Sequence, residues 1–171
     1  MADSPEKPVT VNELGDFVAW VLSKENLPYC WPTAENGYSG KDLKNAKHKD
    51  CYDCSGLITA GLYAATKKRI DWRGNTNAQL LMKKSQPLTE KQAKGKACLA
   101  FYGPAMNMIN HVMLMLPDGR SFGACGGNSA VTSPEIANKK GARVRYRPTH
   151  AYRPDFRCFR AIPLEGEWPK K

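Results

Sequence analysis

Apolar positions recur at helical spacing in the first half of the chain and at strand spacing in the second. Thr10-Val11-Asn12-Glu13 has the form of a capping box, and Leu14, Phe17, Val18, Val21 and Leu22 follow on one helical face. This first helix is expected to end near Glu25-Asn26, before Leu27-Pro28. A second helix is expected from Ser55 to Thr66, where Leu57, Ile58, Gly61, Leu62 and Ala65 share helical spacing. Lys67-Lys68-Arg69 then supplies the basic end that suits the helix dipole. The turn Arg73-Gly74-Asn75-Thr76-Asn77 should cap a short helix through Ala78, Leu80, Leu81 and Met82, and Lys83 to Lys96 reads as a polar loop with one helical turn.

From there the pattern changes. Ala97 to Tyr102, His111 to Leu116 and Ser121 to Cys125 read as short apolar strands, with Pro117-Asp118-Gly119-Arg120 as a hairpin turn between the last two. Ser133 and Pro134 open a short helix, Arg143 to Arg147 alternates strictly, and Phe156 to Ile162 is a further strand. Helices first and an antiparallel meander second predict an α+β fold. One domain is expected over residues 10–164, with a flexible leader at 1–9 and a frayed tail at 165–171.

Composition narrows the class of protein. At 171 residues, 42% hydrophobic and 25% charged, the chain can bury a core without covalent staples. No apolar run approaches the ~20 residues of a membrane span, and the polar Met1 to Pro8 segment has no signal-peptide core. The net charge of +10 favours a polyanionic partner, either nucleic acid or a bacterial wall, or simply a well-solvated basic surface. The chain lacks helix-turn-helix, zinc-finger and RRM patterns, which disfavours nucleic acid. The stretch from Thr33 to Lys49 reads as a long basic loop that delivers the chain to Asp50.

Candidate chemistry centres on Asp53-Cys54-Ser55, where a cysteine meets the start of the second helix. A thiol there feels the positive end of the helix dipole, so its pKa is expected to fall below the usual ~8.5. A thiolate nucleophile needs a base, and His48, His111 and His150 are available. His111, at the first position of a strand, is unremarkable alone but becomes the strongest candidate once paired with Cys54. Cys98 and Cys158 read as small core residues. Cys51 stands three residues before Cys54, and several roles are open to it: an incidental residue, a reversible disulfide cap on Cys54, or half of a zinc site that recruits His48 and Cys30. A thioredoxin-type role lacks the parallel βαβ setting it would need.

Four blocks in order resemble the NlpC-type cell-wall cysteine peptidases. Asp53-Cys54-Ser55-Gly56-Leu57-Ile58 is similar to that family's Asp-Cys-Ser-Gly-Leu-Val, and Tyr29-x-Trp31 to its Tyr-x-Trp-Gly-Gly. Gly95 to Tyr102 resembles its Gly-Asp-Leu-x-Phe-Phe strand, and His111 to Gly119 its His-Val-Gly-Ile-Tyr-x-Gly-Asp-Gly hairpin. The resemblance spans Thr10 to Ile162 and implies a papain-like fold, with Cys54 as nucleophile on the central helix and His111 as base on the facing sheet. It further implies that Tyr29 helps to position the substrate carbonyl, that Asp53 and Ser55 flank substrate and oxyanion, and that no cofactor or metal is needed. The implied reaction is hydrolysis of a peptidoglycan stem amide, commonly between D-glutamate and the diamino acid.

The chain departs from this pattern in several places. Pro32-Thr33 stands where the family has paired glycines, Lys96 replaces the strand aspartate, and Gly123 occupies the position whose polar side chain usually orients the histidine. Ala124-Cys125-Gly126-Gly127-Asn128 and Arg73 to Ala78 resemble phage wall-lytic proteins and type VI secretion amidase effectors, which makes Cys125 the expected orienting residue, with Asn128 the alternative. On this reading the protein is a monomer made in the cytoplasm and delivered to the wall by a phage or a secretion machine. Peptidoglycan is then its partner, together with an immunity or inhibitor protein. The alternatives are a non-catalytic basic module that binds wall polymer or nucleic acid, and a Cys/His metal-binding protein.

Overall fold

The computed structural model describes residues 8–31, 51–73 and 77–162. Residues 1–7 of the expected 1–9 leader, the basic loop with His48, the centre of the turn at 74–76 and the tail from 165 lie outside the described residues, and Val9, expected in that leader, is instead fully buried in the core.

Each longer helix begins where a side chain can satisfy its free N–H groups. Helix α1 (Val11–Leu22) opens on the expected capping box: Thr10 Oγ1 accepts from the Glu13 N–H at 3.1 Å, and Glu13 Oε1 accepts from the Thr10 N–H at 3.0 Å. It ends at Leu22, earlier than expected, and a turn carries the chain to Asn26 at φ 69°. Helix α2 (Cys54–Ala65) takes Asp53 as its N-cap, with Asp53 Oδ1 accepting from the Gly56 N–H at 2.7 Å. Asn77 caps α3 (Ala78–Lys84), Thr89 caps the single turn of α4 (Glu90–Ala93), and Ser133 caps α5 (Pro134–Lys140). A short 3-10 helix, His150–Tyr152, follows the fifth strand.

The strands are β1 (Gln86–Leu88), β2 (Cys98–Tyr102), β3 (His111–Met115), β4 (Ser121–Cys125), β5 (Arg143–Arg147) and β6 (Phe156–Ala161). They form one antiparallel sheet in the order β1-β6-β2-β3-β4-β5. Five of them fall where the hydrophobic pattern expects strands. β1 does not, because Gln86-Pro87-Leu88 is a largely exposed edge strand that pairs only with β6, and Pro87 can offer the ladder no N–H.

Alternation along the central strands divides the core in two. Leu99, Phe101, Val112, Leu114, Phe122 and Ala124 belong to the larger cluster, together with Leu57, Ile58 and Leu62 of α2. Cys98, Ala100, Tyr102, Met113, Met115 and Cys125 belong to a smaller cluster with Tyr152, Phe156 and Phe159. The sheet is thus covered on both faces, which explains why β2, β3 and β4 are buried at every position and almost wholly apolar, with only His111 and Ser121 polar at the strand starts. Cys98 is a core residue, as expected, and Cys158 is half-buried against the larger cluster.

Helix α1 lies across α2 at Gly61. A Cβ added there would stand 2.8 Å from Val21 Cγ2 and 2.9 Å from the Phe17 ring, so the close approach of the two helices requires glycine. This packing holds α2 against the sheet, with its N-terminus beside the start of β3.

Candidate active site

Cys54 is the first residue of α2, and its side chain is only 7% exposed. Its Sγ lies 3.9 Å from the carbonyl oxygen of Asn110, the residue before His111. The fold therefore docks the helix start onto the strand start, and both side chains line one cavity of about 520 Å³. Tyr29, Asp53 and Ser55 line it too, with Trp31, Asn128 and Arg153 on its walls. Five residues singled out in the sequence, Tyr29, Asp53, Cys54, Ser55 and His111, thus come together although three separate segments supply them.

Electrostatics at Cys54 run opposite to the sequence expectation. Burial, and after it the neighbouring Asp53 carboxylate, push the thiol up to about 12, against a partial offset from the backbone N–H groups of Val112 and Ser55. A helix terminus contributes roughly 0.3–1 kcal/mol, less than the ~1.4 kcal/mol of a single pKa unit. Burial shifts such groups by several units, so desolvation wins. The N-cap carboxylate compounds the effect: Asp53 satisfies the helix end and places negative charge beside the sulfur. Ser55 Oγ donates to the same Asp53 Oδ1 at 3.5 Å.

His111 is shifted in the complementary sense. Burial, and then the Arg153 guanidinium, lower its imidazole to about 3. Arg153 itself is held by Asp155 through a two-point ion pair, Nε to Oδ1 at 2.9 Å and Nη2 to Oδ2 at 2.6 Å, and its Nη2 reaches Asn110 Oδ1 at 3.4 Å. Two uncharged groups, a thiol and an imidazole, thus face the same cavity.

Tyr29 reaches the site on a segment stitched to three others. Its backbone bridges to Tyr52 in parallel, its N–H donates to Ala142 O at 3.1 Å, and the next two N–H groups donate to Tyr52 O and Val131 O. The ring lies over Gly127, where an added Cβ would sit 2.4 Å from Tyr29 Cδ1. Burial raises the phenol well above its ordinary range, so Tyr29 stays a neutral hydrogen-bond donor.

Three expectations need correction. Cys51 is neither incidental nor paired with Cys54: a disulfide joins it to Cys30, with Cα atoms 5.4 Å apart, and Cys54 is a free thiol. That bond also takes Cys30 and Cys51 out of the imagined zinc site, and no cluster of three or more metal-ligating side chains occurs among the described residues. Cys125 does not make the contact expected of it. It is buried in the smaller cluster with Tyr102 and Tyr152, whereas the group within hydrogen-bond distance of His111 Nε2 is the Tyr152 hydroxyl, at 2.6 Å. Sequence reading missed Tyr152 and Arg153, because His150 to Asp155 is a polar turn without period or motif.

No protein-family model matches the chain, and no curated protein does. Solved structures do. RipB of Mycobacterium tuberculosis, a peptidoglycan hydrolase, is 22% identical with a TM-score of 0.60; the match covers 90% of this chain and 65% of that one, so this chain spans about two thirds of its length. A P60 domain from an antigen of M. avium subspecies paratuberculosis is 22% identical with a TM-score of 0.58, covering 90% of this chain and 96% of that one. RipD of M. tuberculosis, a non-catalytic NlpC/p60 domain protein adapted to peptidoglycan binding, is 20% identical with a TM-score of 0.55, covering 87% and 95%. These likenesses establish the fold as the papain-like α+β arrangement of NlpC/P60 domains.

Proposed function

We propose that this protein is a cysteine-dependent peptidoglycan hydrolase that cleaves amide bonds of the stem peptide, the bond from D-glutamate to the diamino acid being the favoured target. The observation that carries this reading is the shared cavity of Cys54 and His111, with the thiol seated at a helix N-terminus against the start of the histidine's strand. The NlpC/P60 fold and the motif blocks around Tyr29, Cys54 and His111 support the substrate class.

The chemistry follows from the neutral resting pair. Cys54 Sγ attacks the scissile carbonyl carbon while its proton passes to His111, so that the sulfur need not wait as an exposed thiolate. The tetrahedral oxyanion is met by the backbone N–H of Cys54 and by the Tyr29 hydroxyl. The C–N bond then breaks, the imidazolium returns its proton to the leaving amine, and water hydrolyses the thioester with His111 again as base. Asp53 fixes the helix end from which Cys54 projects, and Ser55 lines the approach. The likeness of Ala124 to Asn128 and of Arg73 to Ala78 to phage wall-lytic proteins and type VI effectors supports delivery to the wall by one of those routes, with an immunity or inhibitor protein as a further partner.

The test is incubation with purified sacculi and mass spectrometry of the released muropeptides. Wild type should release fragments with a newly freed amine, and Cys54→Ala and His111→Ala should each release none. Release that persists in Cys54→Ala would overturn the mechanism. Sacculus binding without release by wild type would make the protein a wall-binding module of the RipD kind.

A further inference from the structure

We propose that Tyr152 is the residue that positions His111, replacing from a different element the polar strand side chain that this chain lacks. The inference rests on the Cys54–His111 reading above. A histidine that relays a proton must hold one ring nitrogen bare towards the thiol and keep the other engaged, or it samples the wrong tautomer and the wrong ring angle. Here the Tyr152 hydroxyl stands 2.6 Å from Nε2, which leaves Nδ1 as the nitrogen for Cys54.

The position beside His111's own strand cannot do this work. Gly123 offers no side chain, and a Cβ built there would stand 2.8 Å from Met113 Sδ, so the sulfur of the β3 core fills the place. Cys125 is on the same face as Gly123, and the register of β3 and β4 (Leu114 opposite Phe122, Met115 opposite Ser121), continued along the strands, brings it across from His111. Its thiol is a poor acceptor. It packs among Tyr102, Met113 and Tyr152, as a small residue that leaves room for the phenol.

Tyr152 is fixed more firmly than a turn residue needs to be. Thr149 Oγ1 accepts from the Ala151 N–H at 3.1 Å, Ser121 Oγ donates to the Thr149 carbonyl at 3.1 Å, and the Tyr102 hydroxyl donates to the His150 carbonyl at 2.7 Å. The Tyr102 ring stands edge-on to Tyr152 with centroids 5.5 Å apart, and the Arg147 guanidinium lies 5.0 Å over its face. Two strands, β2 and β4, thereby tie down the short 3-10 helix that presents one hydroxyl to one imidazole nitrogen.

The consequence is a tautomer assignment. Nε2–H donates to the Tyr152 oxygen, and Nδ1 is bare to receive the thiol proton. When His111 becomes imidazolium, both N–H groups have a direction, but the neutral phenol stabilises that cation less than a carboxylate would. This agrees with a pair that rests uncharged and moves its proton only during attack.

The experiment compares wild type, Tyr152→Phe, Cys125→Ala and Cys54→Ala. It reads muropeptide release, thermal unfolding, and ¹⁵N shifts of the His111 ring nitrogens in the free protein. The Nε2–H tautomer is expected in wild type and in Cys125→Ala. In Tyr152→Phe the two tautomers should mix, and release should fall about 10- to 100-fold at unchanged unfolding temperature, as expected for a base that keeps its chemistry but loses its alignment. Wild-type release in Tyr152→Phe, unaltered ring shifts in that variant, or an Nδ1–H tautomer in wild type would each overturn the proposal. Because the ring shifts need no substrate, their comparison between wild type and Tyr152→Phe decides it even if wild type releases nothing or Cys54→Ala remains active, outcomes that count against the hydrolase reading instead.

Discussion

Cys54 and His111 are tuned by what surrounds them rather than by each other's charge. The thiol is pushed up to about 12 by burial and Asp53, and the imidazole down to about 3 by burial and Arg153. A preformed thiolate–imidazolium pair would alkylate at a rate that plateaus near neutral pH. Here the thiolate fraction should grow about tenfold per pH unit between roughly pH 7 and pH 10, and iodoacetamide modification of Cys54, followed by peptide mass spectrometry, should track it. A plateau in that range would contradict the neutral pair. The sign for catalysis follows from the base. In the proposed mechanism His111 must be neutral to act, and its lowered pKa keeps it so well below the ordinary histidine range, so the acid limb of kcat/KM should lie far under pH ~6.5. Stability has the same sign: the unfolded chain takes up this proton first, so His111's contribution to stability is complete above pH ~6.5 and is lost as pH falls towards 3.

At the scale of elements, the site depends on the seating of α2. Its N-terminus meets β3 because α1 presses on its opposite side at Gly61, where Val21 and Phe17 are fully buried and have no room to withdraw. Gly61→Val should destabilise the fold by about 1–3 kcal/mol through overpacking, outweighing the few tenths that a better helix former returns. A shift of the urea midpoint at unchanged m-value would register it; an unshifted midpoint would show that the α1–α2 contact gives way freely. The 3-10 helix at His150 to Tyr152 is the other decisive element, short in sequence but anchored to β2 and β4.

Across the whole molecule, the Cys30–Cys51 disulfide links the segment that carries Tyr29 to the segment that leads into Asp53 and Cys54, closing a separation of 21 residues. In the chain-entropy view a loop of that length contributes roughly 3 kcal/mol. Reductant should therefore lower the unfolding temperature of wild type, and the Cys51→Ser variant should start low and not respond. Equal unfolding temperatures in all four conditions would mean that the bond adds nothing. Activity should fall with reduction as well, since Tyr29 and the N-cap of α2 lose their covalent tie. Among the described residues no helix is long and apolar enough to cross a membrane, and the net charge of +10 favours contact with polyanions in general.

Local signals along the chain were enough to place most of the elements and to bring Cys54 and His111 forward as candidates. Capping residues at Thr10, Asp53, Asn77 and Ser133, a switch from helical to strand spacing near Ala97, and motif blocks at Cys54 and His111 are local signals, written in neighbouring residues. The sequence did not disclose the edge strand at Gln86, because three exposed residues carry no hydrophobic pattern. The direction of the Cys54 shift was also hidden, because burial comes from β3 and the rest of the core and not from the helix that bears the cysteine. Partnerships across the chain were decided only by the tertiary structure: Cys30 with Cys51, Arg153 with the cavity, and Tyr152 with His111, 41 residues apart in sequence. Each is a contact between side chains whose own surroundings look ordinary, and only the packing of sheet, helix and turn brings them within reach.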